Sequence, residues 1–493
     1  MPFLFAALRR AGGFIHIVDT EAEARKVAGL RIVVGLLLMW RTGIVARDAA
    51  YYFDPTPILG RPVPLEAVAG WIQCAVAGGL VVGVVPRACL ALLMLTHAAF
   101  SIWTDTYNLG PMLLVPILGA LLVLDSGKLT VHRRVRQTPS ADEFRAAYLI
   151  LFLAYAGWSL QAALYHVRDP YWIQGRTTQV MFLNSYLSEY YVVFRAWERA
   201  SPATLRALSV FVGSAQILFQ MAMIPLVFTR RGAAFVRTWG WIFILGSVVD
   251  LQLTLLPFVE AVLWAMVFFR ARPSPAIDPA KRISTGDSIR RSGMRPAVAI
   301  YGVGYGFLSL MFFTNAILGF AAGASLPRWV ANPVLYYVGL VAPNVFNTMD
   351  LQMGDRWAVL THADGGQSTV VPLDGYEGQR LDYLRSDLLY FANSLRWRRE
   401  MIFAPDLAAF HRPGARGYAF AYRVALYDHR RRRIIAPETY RVRIFHNYAA
   451  EGNRDAMPLR YAPLEVLEFT LTIGPHSTAS SAGLVAEHKQ PSA

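Results

Sequence analysis

Seven ionisable side chains stand inside or beside the long apolar runs of this 493-residue sequence: Arg31, Arg41, His97, His166, Glu189, Asp250 and Glu260. An ionisable group at membrane depth costs roughly 2.5–3.5 kcal/mol on insertion scales, so each calls for a partner or a polar cavity. Asp250 and Glu260 flank Pro257 with no opposite charge close by, and Arg31 and Arg41 share the first apolar run. We therefore expect an Arg–carboxylate pair in the interior, joining that run to the Asp250–Glu260 region and fixing helix register. His97 reads as a hydrogen-bonded core histidine, because no second His or Cys stands at metal-ligand spacing with it. His166 precedes the Arg168-Asp169-Pro170 break and has two readings. It titrates near neutrality in a watery cavity, or it belongs to an aromatic belt with Tyr165, Tyr171 and Trp172 that Tyr186, Tyr190 and Tyr191 extend. Cys74 and Cys89 have neither redox nor metal spacing. No P-loop, nucleophile elbow, zinc motif or dinucleotide fingerprint is present.

The elements that must position these groups are membrane helices. Hydrophobic residues make up 55% of the chain and charged residues 16%, with mean hydropathy +0.35, against roughly 25% charged in soluble proteins. Apolar blocks run over 27–46, 66–85, 88–104, 111–125, 146–166, 207–228, 239–269 and 297–321, and about 20 helical residues cross a hydrocarbon core. With the shorter stretches 177–194 and 332–346, the sequence predicts eight to ten spans. The fold class expected is an all-α polytopic bundle followed by a small β-rich extramembrane domain.

The net charge of +15 marks a membrane face rather than a nucleic-acid surface. Basic residues concentrate in 128–145 and 270–295, short loops beside spans, where the positive-inside rule places them in the cytoplasm. Arg230, Arg231 and Arg237 fit that count less tidily. Residues 1–26 read as an interfacial lead-in whose Arg9, Arg10, Arg25 and Lys26 face head groups. The membrane part runs over 27–346 with a cytoplasmic linker at 271–296, a polar β-rich domain over 347–474, and a disordered end over 475–493. In the polar part we expect a hairpin at 356–371, strands at 417–428, 438–447 and 464–473, a helix at 383–403, and a solvated turn at Arg430–Arg433. The N-terminus is placed in the cytoplasm and the polar domain outside it, since 332–346 is short and holds Pro333 and Pro343.

Tyr155-Ala156-Gly157 followed by Tyr165-His166-Val167-Arg168-Asp169-Pro170-Tyr171-Trp172-Ile173-Gln174-Gly175-Arg176-Thr177 resembles the horizontally transferred transmembrane (HTTM) domain, whose family includes vitamin K-dependent γ-carboxylase. Leu30–Leu38, Trp103–Leu109, Pro225–Arg230, Arg356-Trp357 and Leu395–Arg399 resemble further steps of it. The resemblance implies a bundle around a lipophilic pocket near Tyr155, His166, Trp172 and Gly175 that takes a quinone- or lipid-like molecule. It also places His166 where the carboxylase has its catalytic lysine, with Thr106 at a family histidine and Gln216 or Gln220 at a family acid. Lysine occurs only at Lys26, Lys128, Lys281 and Lys489, none in a predicted span, so carboxylase chemistry is not expected.

The reading that results is a divergent HTTM-like membrane protein with a lipophilic pocket and no carboxylase activity. A non-enzymatic anchor, immunity or transport-accessory protein presenting the C-terminal domain is the alternative. A secondary transporter is disfavoured by the lack of internal repeats.

Overall fold

The computed structural model describes residues 12–53, 56–58, 61–104, 109–131, 138–183, 188–251, 255–271, 295–322, 356–364, 367–371, 416–446 and 464–478. The chain begins with a 33-residue helix, α1 (Thr20–Tyr52), capped by the Asp19 carboxylate on the amides of Glu21 and Ala22. A short hairpin, β1 (Thr56–Ile58) and β2 (Arg61–Val63), leads to α2 (Leu65–Val82), α3 (Pro86–Trp103) and α4 (Leu109–Leu124). The central helix is α5 (Ala141–Arg168), opened by a capping box in which Ser140 and Glu143 satisfy each other's backbone amides. Asp169 ends α5 and caps the single turn α6 (Pro170–Ile173), whose proline stands where a helix amide would otherwise lack an acceptor. Then come α7 (Arg176–Leu183), α8 (Tyr191–Ala200), α9 (Pro202–Val227), α10 (Arg230–Val249), α11 (Leu256–Phe268) and α12 (Pro296–Ala322).

Five of these helices are long and apolar enough to cross a membrane: the Thr20–Arg47 part of α1, and α2, α5, α9 and α10. Shorter apolar helices lie at Gly110–Leu124, Leu256–Phe268 and Pro296–Met311. Burial sorts them into an inner and an outer set. Leu114, Leu118, Leu121, Leu149, Phe152, Val259 and Leu263 of α4, α5 and α11 are fully buried in one continuous core. By contrast Phe211, Leu218, Ile242, Leu245, Phe307 and Leu310 of α9, α10 and α12 are exposed. A surface so apolar suits hydrocarbon and not water.

The 239–269 block is two helices and not one run. Asp250 closes α10 and Pro257 opens α11, and α10 and α11 pack on each other. The described parts of the 177–194 stretch belong to the short helices α7 and α8. The segment 332–346 lies outside the described residues.

Contacts at the helix ends define two faces. On the first, Phe14 packs against Phe152, Phe228 and Phe268, so the lead-in from Gly12 tucks its side chains into the bundle. Lys26 also turns inward rather than toward head groups: its ammonium meets Glu23 at 2.7 Å and the carbonyls of Met266 and Phe269. The expectation that no lysine lies in a span is corrected by this residue, which the candidate span Thr20–Arg47 contains. Arg295 joins α12 to α5 and α4 through Glu143 and the carbonyl of Val123. Exposed His16 has its pKa lowered by partial burial and then by Arg270, Arg145 and Arg230. Arg230 therefore belongs with the basic residues of the first face, which tidies the charge count.

On the second face lie Phe53, the β1–β2 hairpin and the short helices α6 to α8. An antiparallel four-stranded sheet follows α12 in the chain, in the order β4 (Gln367–Val371), β3 (Arg356–Asp364), β5 (Glu438–His446), β6 (Leu464–Ile473). The segment 417–428 is not a strand. It belongs to helix α13 (Arg416–Arg431), where Tyr418, Ala421, Tyr422, Ala425, Leu426 and His429 are buried at spacings of three and four. The expected helix at 383–403 lies outside the described residues. Arg430–Arg433 is a solvated turn only in part: Arg433 is exposed, whereas Arg430 and Arg432 are engaged. Arg430 donates to the carbonyls of Phe53 and Ser477, and Arg432 pairs with Asp428 and Glu438. Partial burial disfavours the Arg432 charge, but the Glu438 hydrogen bond and the Asp428 carboxylate outweigh it and hold its pKa above the usual range. The sheet and α13 are thereby tied to the far end of α1 from Asp19.

Gly240 of α10 is a contact point with α11: a Cβ there would lie 2.1 Å from the Trp264 ring, whereas one at Gly246 would meet nothing within 4 Å. Gly240→Ala should lower stability in detergent by about 1–3 kcal/mol, the usual cost of overpacking, and Gly246→Ala should leave it unchanged. Equal thermal midpoints for the two variants would contradict this packing.

Candidate functional site

The second-face half of the bundle encloses a cavity of about 440 Å³ between α5, α9, α10 and α11, with α6 and α7 at one end. That size lies within the range of small-molecule sites. Its walls are aromatic and aliphatic: Trp158, Phe211, Trp239, Ile242 and Phe243 among others. A few polar groups converge on it from separate elements, namely Ser159 and His166 of α5, Thr178 of α7, Gln216 and Gln220 of α9, Asp250 and Glu260. Phe211 is 65% and Ile242 56% exposed, so the cavity opens sideways between helices whose outer surfaces are apolar.

Tyr155, His166 and Trp172 all line this cavity. The Tyr155 hydroxyl donates to Glu260 Oε1 at 2.9 Å, and both residues are buried. Eleven residues further along α5, or about 16 Å at 1.5 Å per residue, His166 stacks on Trp172 with ring centroids 3.8 Å apart. The Asp169 cap makes that stack by turning the chain sharply after α5, so that Trp172 folds back over the helix end. Gly175 is not part of the wall. Its φ is +70°, and a Cβ there would lie 2.5 Å from the Val210 amide nitrogen, so it lets the turn after α6 press against α9.

The remaining buried charges fall in different places. Asp250 lines the cavity and accepts from the Ser188 hydroxyl at 2.6 Å. Glu189 is adjacent, its amide donating to the Asp250 carbonyl at 2.7 Å, but it does not line the wall. Arg31 lies near the first face, paired with Asp125 at 3.3 Å and donating to the carbonyls of Lys128 and Leu129. Arg41 and His97 meet between α1 and α3, 3.5 Å apart and buried. The interior Arg–carboxylate pair thus exists, but its acid is Asp125 rather than Asp250 or Glu260. Sequence reasoning passed over Asp125, which stands at the very end of the 111–125 block. It also missed Glu23 and Tyr148, which meet at 3.1 Å beside Lys26; the i, i+3 spacing of Glu23 and Lys26 was the available signal. Gln216 and Gln220, singled out by the resemblance alone, both reach the cavity.

Three buried polar atoms on the wall have no hydrogen-bond partner: Trp158 Nε1, Thr178 Oγ1 and Gln220 Oε1. Buried polar groups are nearly always satisfied by protein, water or ligand. Among the described residues no group of three or more His, Cys, Asp or Glu is placed to hold a metal ion. No family model, curated protein or solved structure matches the chain.

Tyr155→Phe leaves the Glu260 carboxyl without its hydrogen bond, at a cost of about 1–3 kcal/mol. With Glu260→Gln, a double-mutant cycle on thermal stability should show coupling of about 0.5–3 kcal/mol. Strict additivity of the two substitutions would mean that the pair does not interact.

Proposed function

We propose that this protein is a multi-pass membrane protein that binds an amphiphilic, quinone- or lipid-like molecule in the Tyr155–His166–Glu260 cavity. The carrying observation is the combination of a largely apolar cavity opening sideways with a few polar side-chain atoms from separate elements along its wall. An occupant would enter from the hydrocarbon, place its polar end against those atoms and leave its apolar part along Phe211 and Ile242. Nine crossings, by α1 to α5 and α9 to α12, bring the chain from the first face at Thr20 to the second face, and α13 is tied to Phe53 on that same face. With the basic first face in the cytoplasm, the sheet and α13 are extracytoplasmic.

The HTTM resemblance supports a lipophilic cavity at this place, and we extend it to kinship with that family but not to carboxylation. His166 stands at the position of the family's lysine, stacked on Trp172. Lys26, the one lysine buried among the helices described, is held by Glu23 near the first face. The residues present do not fit the carboxylase's base.

Lipid extraction and mass spectrometry of the purified protein should yield a stoichiometric amphiphile. His166→Ala should deplete it, and Ala162→Trp, which fills the cavity, should exclude it. A protein that carries no amphiphile, and keeps its function in cells after both substitutions, would instead be an anchor for the C-terminal segment. For the topology, cysteines introduced at Thr130 and Ser477 in a background lacking Cys74 and Cys89 should label from opposite sides of sealed vesicles. Labelling from one side would refute nine crossings.

A further inference from the structure

The charge of the cavity wall runs against that of the chain. The sequence holds 48 Lys and Arg against 33 Asp and Glu, yet among the described residues no Lys or Arg lines the cavity, while Asp250 and Glu260 both do. Among the described residues neither acid is paired with a basic side chain: Glu260 has Tyr155 and Asp250 has Ser188. A carboxylate at membrane depth requires a counter-charge or a polar partner. The aromatic faces of Tyr155, Trp158, Trp172 and Trp239 share the wall with these acids, and aromatic faces beside carboxylates are the chemistry that holds ammonium groups. Independently of the acids, Thr178 is 4% exposed and lines the cavity, and its hydroxyl has no protein hydrogen-bond partner. Gln220 Oε1 adds a second unpartnered acceptor. His166, the wall's one basic side chain, is stacked on Trp172 about 16 Å along α5 from the Tyr155–Glu260 pair.

We propose that the cavity selects lipophilic cations, that is, amphiphiles carrying a protonated amine or quaternary ammonium group, with Glu260 and Asp250 supplying the counter-charge and the aromatic wall the packing. This rests on the amphiphile reading above and names its ligand class. The cation may not be replaced by an anionic head group, because two acids would face it with no lysine or arginine to offset them.

The test compares radiolabelled dodecyltrimethylammonium with dodecanol, which share a chain and differ in charge, on the full-length protein in phosphatidylcholine nanodiscs, with empty discs as the partition control. The wild-type protein should hold the cation at least tenfold more tightly than the alcohol. Glu260→Gln or Asp250→Asn should reduce that ratio at least fivefold; the second variant carries the test if the first does not fold. Equal affinities for the two probes in the wild type would overturn the charge assignment while leaving the amphiphile site standing. Saturable binding of neither probe would overturn both. A ratio that survives in both variants would remove these two acids from the site. Competition by phosphatidylethanolamine added to the disc would assign the cation to a lipid head group, and absence of competition to a free amphiphilic amine; either supports the site.

Discussion

Inside a hydrocarbon layer there is no water to satisfy a polar group, so an ionisable side chain must find its partner within the protein or pull the helix out of place. The bundle is arranged around that constraint. Arg31 reaches Asp125 and two carbonyls beyond it, which ties α1 to the end of α4. Lys26, Glu23 and Tyr148 join α1 to α5 and, through the carbonyls of Met266 and Phe269, to the end of α11. Glu143 accepts from its own N-cap and from Arg295, so one carboxylate opens α5 and seats α12. Each contact is short, and together they set which helix ends meet on the first face.

The second half of the bundle follows a looser rule. Near the second face the described interior is not closed by ion pairs but left open as a cavity, where Glu260 accepts from Tyr155 and Asp250 from Ser188. Protein interiors pack densely, with few voids larger than a water molecule. A space of about 440 Å³ is far larger than such voids. The turn at Asp169 and the close approach allowed by Gly175 shape its end.

Much of the helical layout was legible along the chain. Blocks at 66–85, 88–104, 111–125 and 146–166 match helices to within a few residues, because uninterrupted apolar stretches of that length have one economical structure in a bilayer. Where local pattern misled, the reason is specific. The 239–269 run is apolar on both sides of Asp250, and hydropathy does not register the reversal at Leu255–Pro257. In 417–428 the small and aromatic residues alternate like a strand, yet Tyr418, Ala421, Tyr422 and Ala425 form a helical stripe against α1 and β6.

The amino-acid sequence by itself determined that apolar helices dominate, which side chains sit expensively among them, and that Tyr155, His166 and Trp172 belong to one neighbourhood, since α5 and the turn after it are local in the chain. Only the tertiary structure decided who pairs with whom. Arg31 is 94 residues from Asp125 and Tyr155 is 105 from Glu260, and no local rule chooses among several acids that all lie far away in sequence. That choice comes from helix packing, in which Gly240 under Trp264 and Gly175 under Val210 set how closely neighbours approach. The cavity, a space left between helices, has no representation in any single segment.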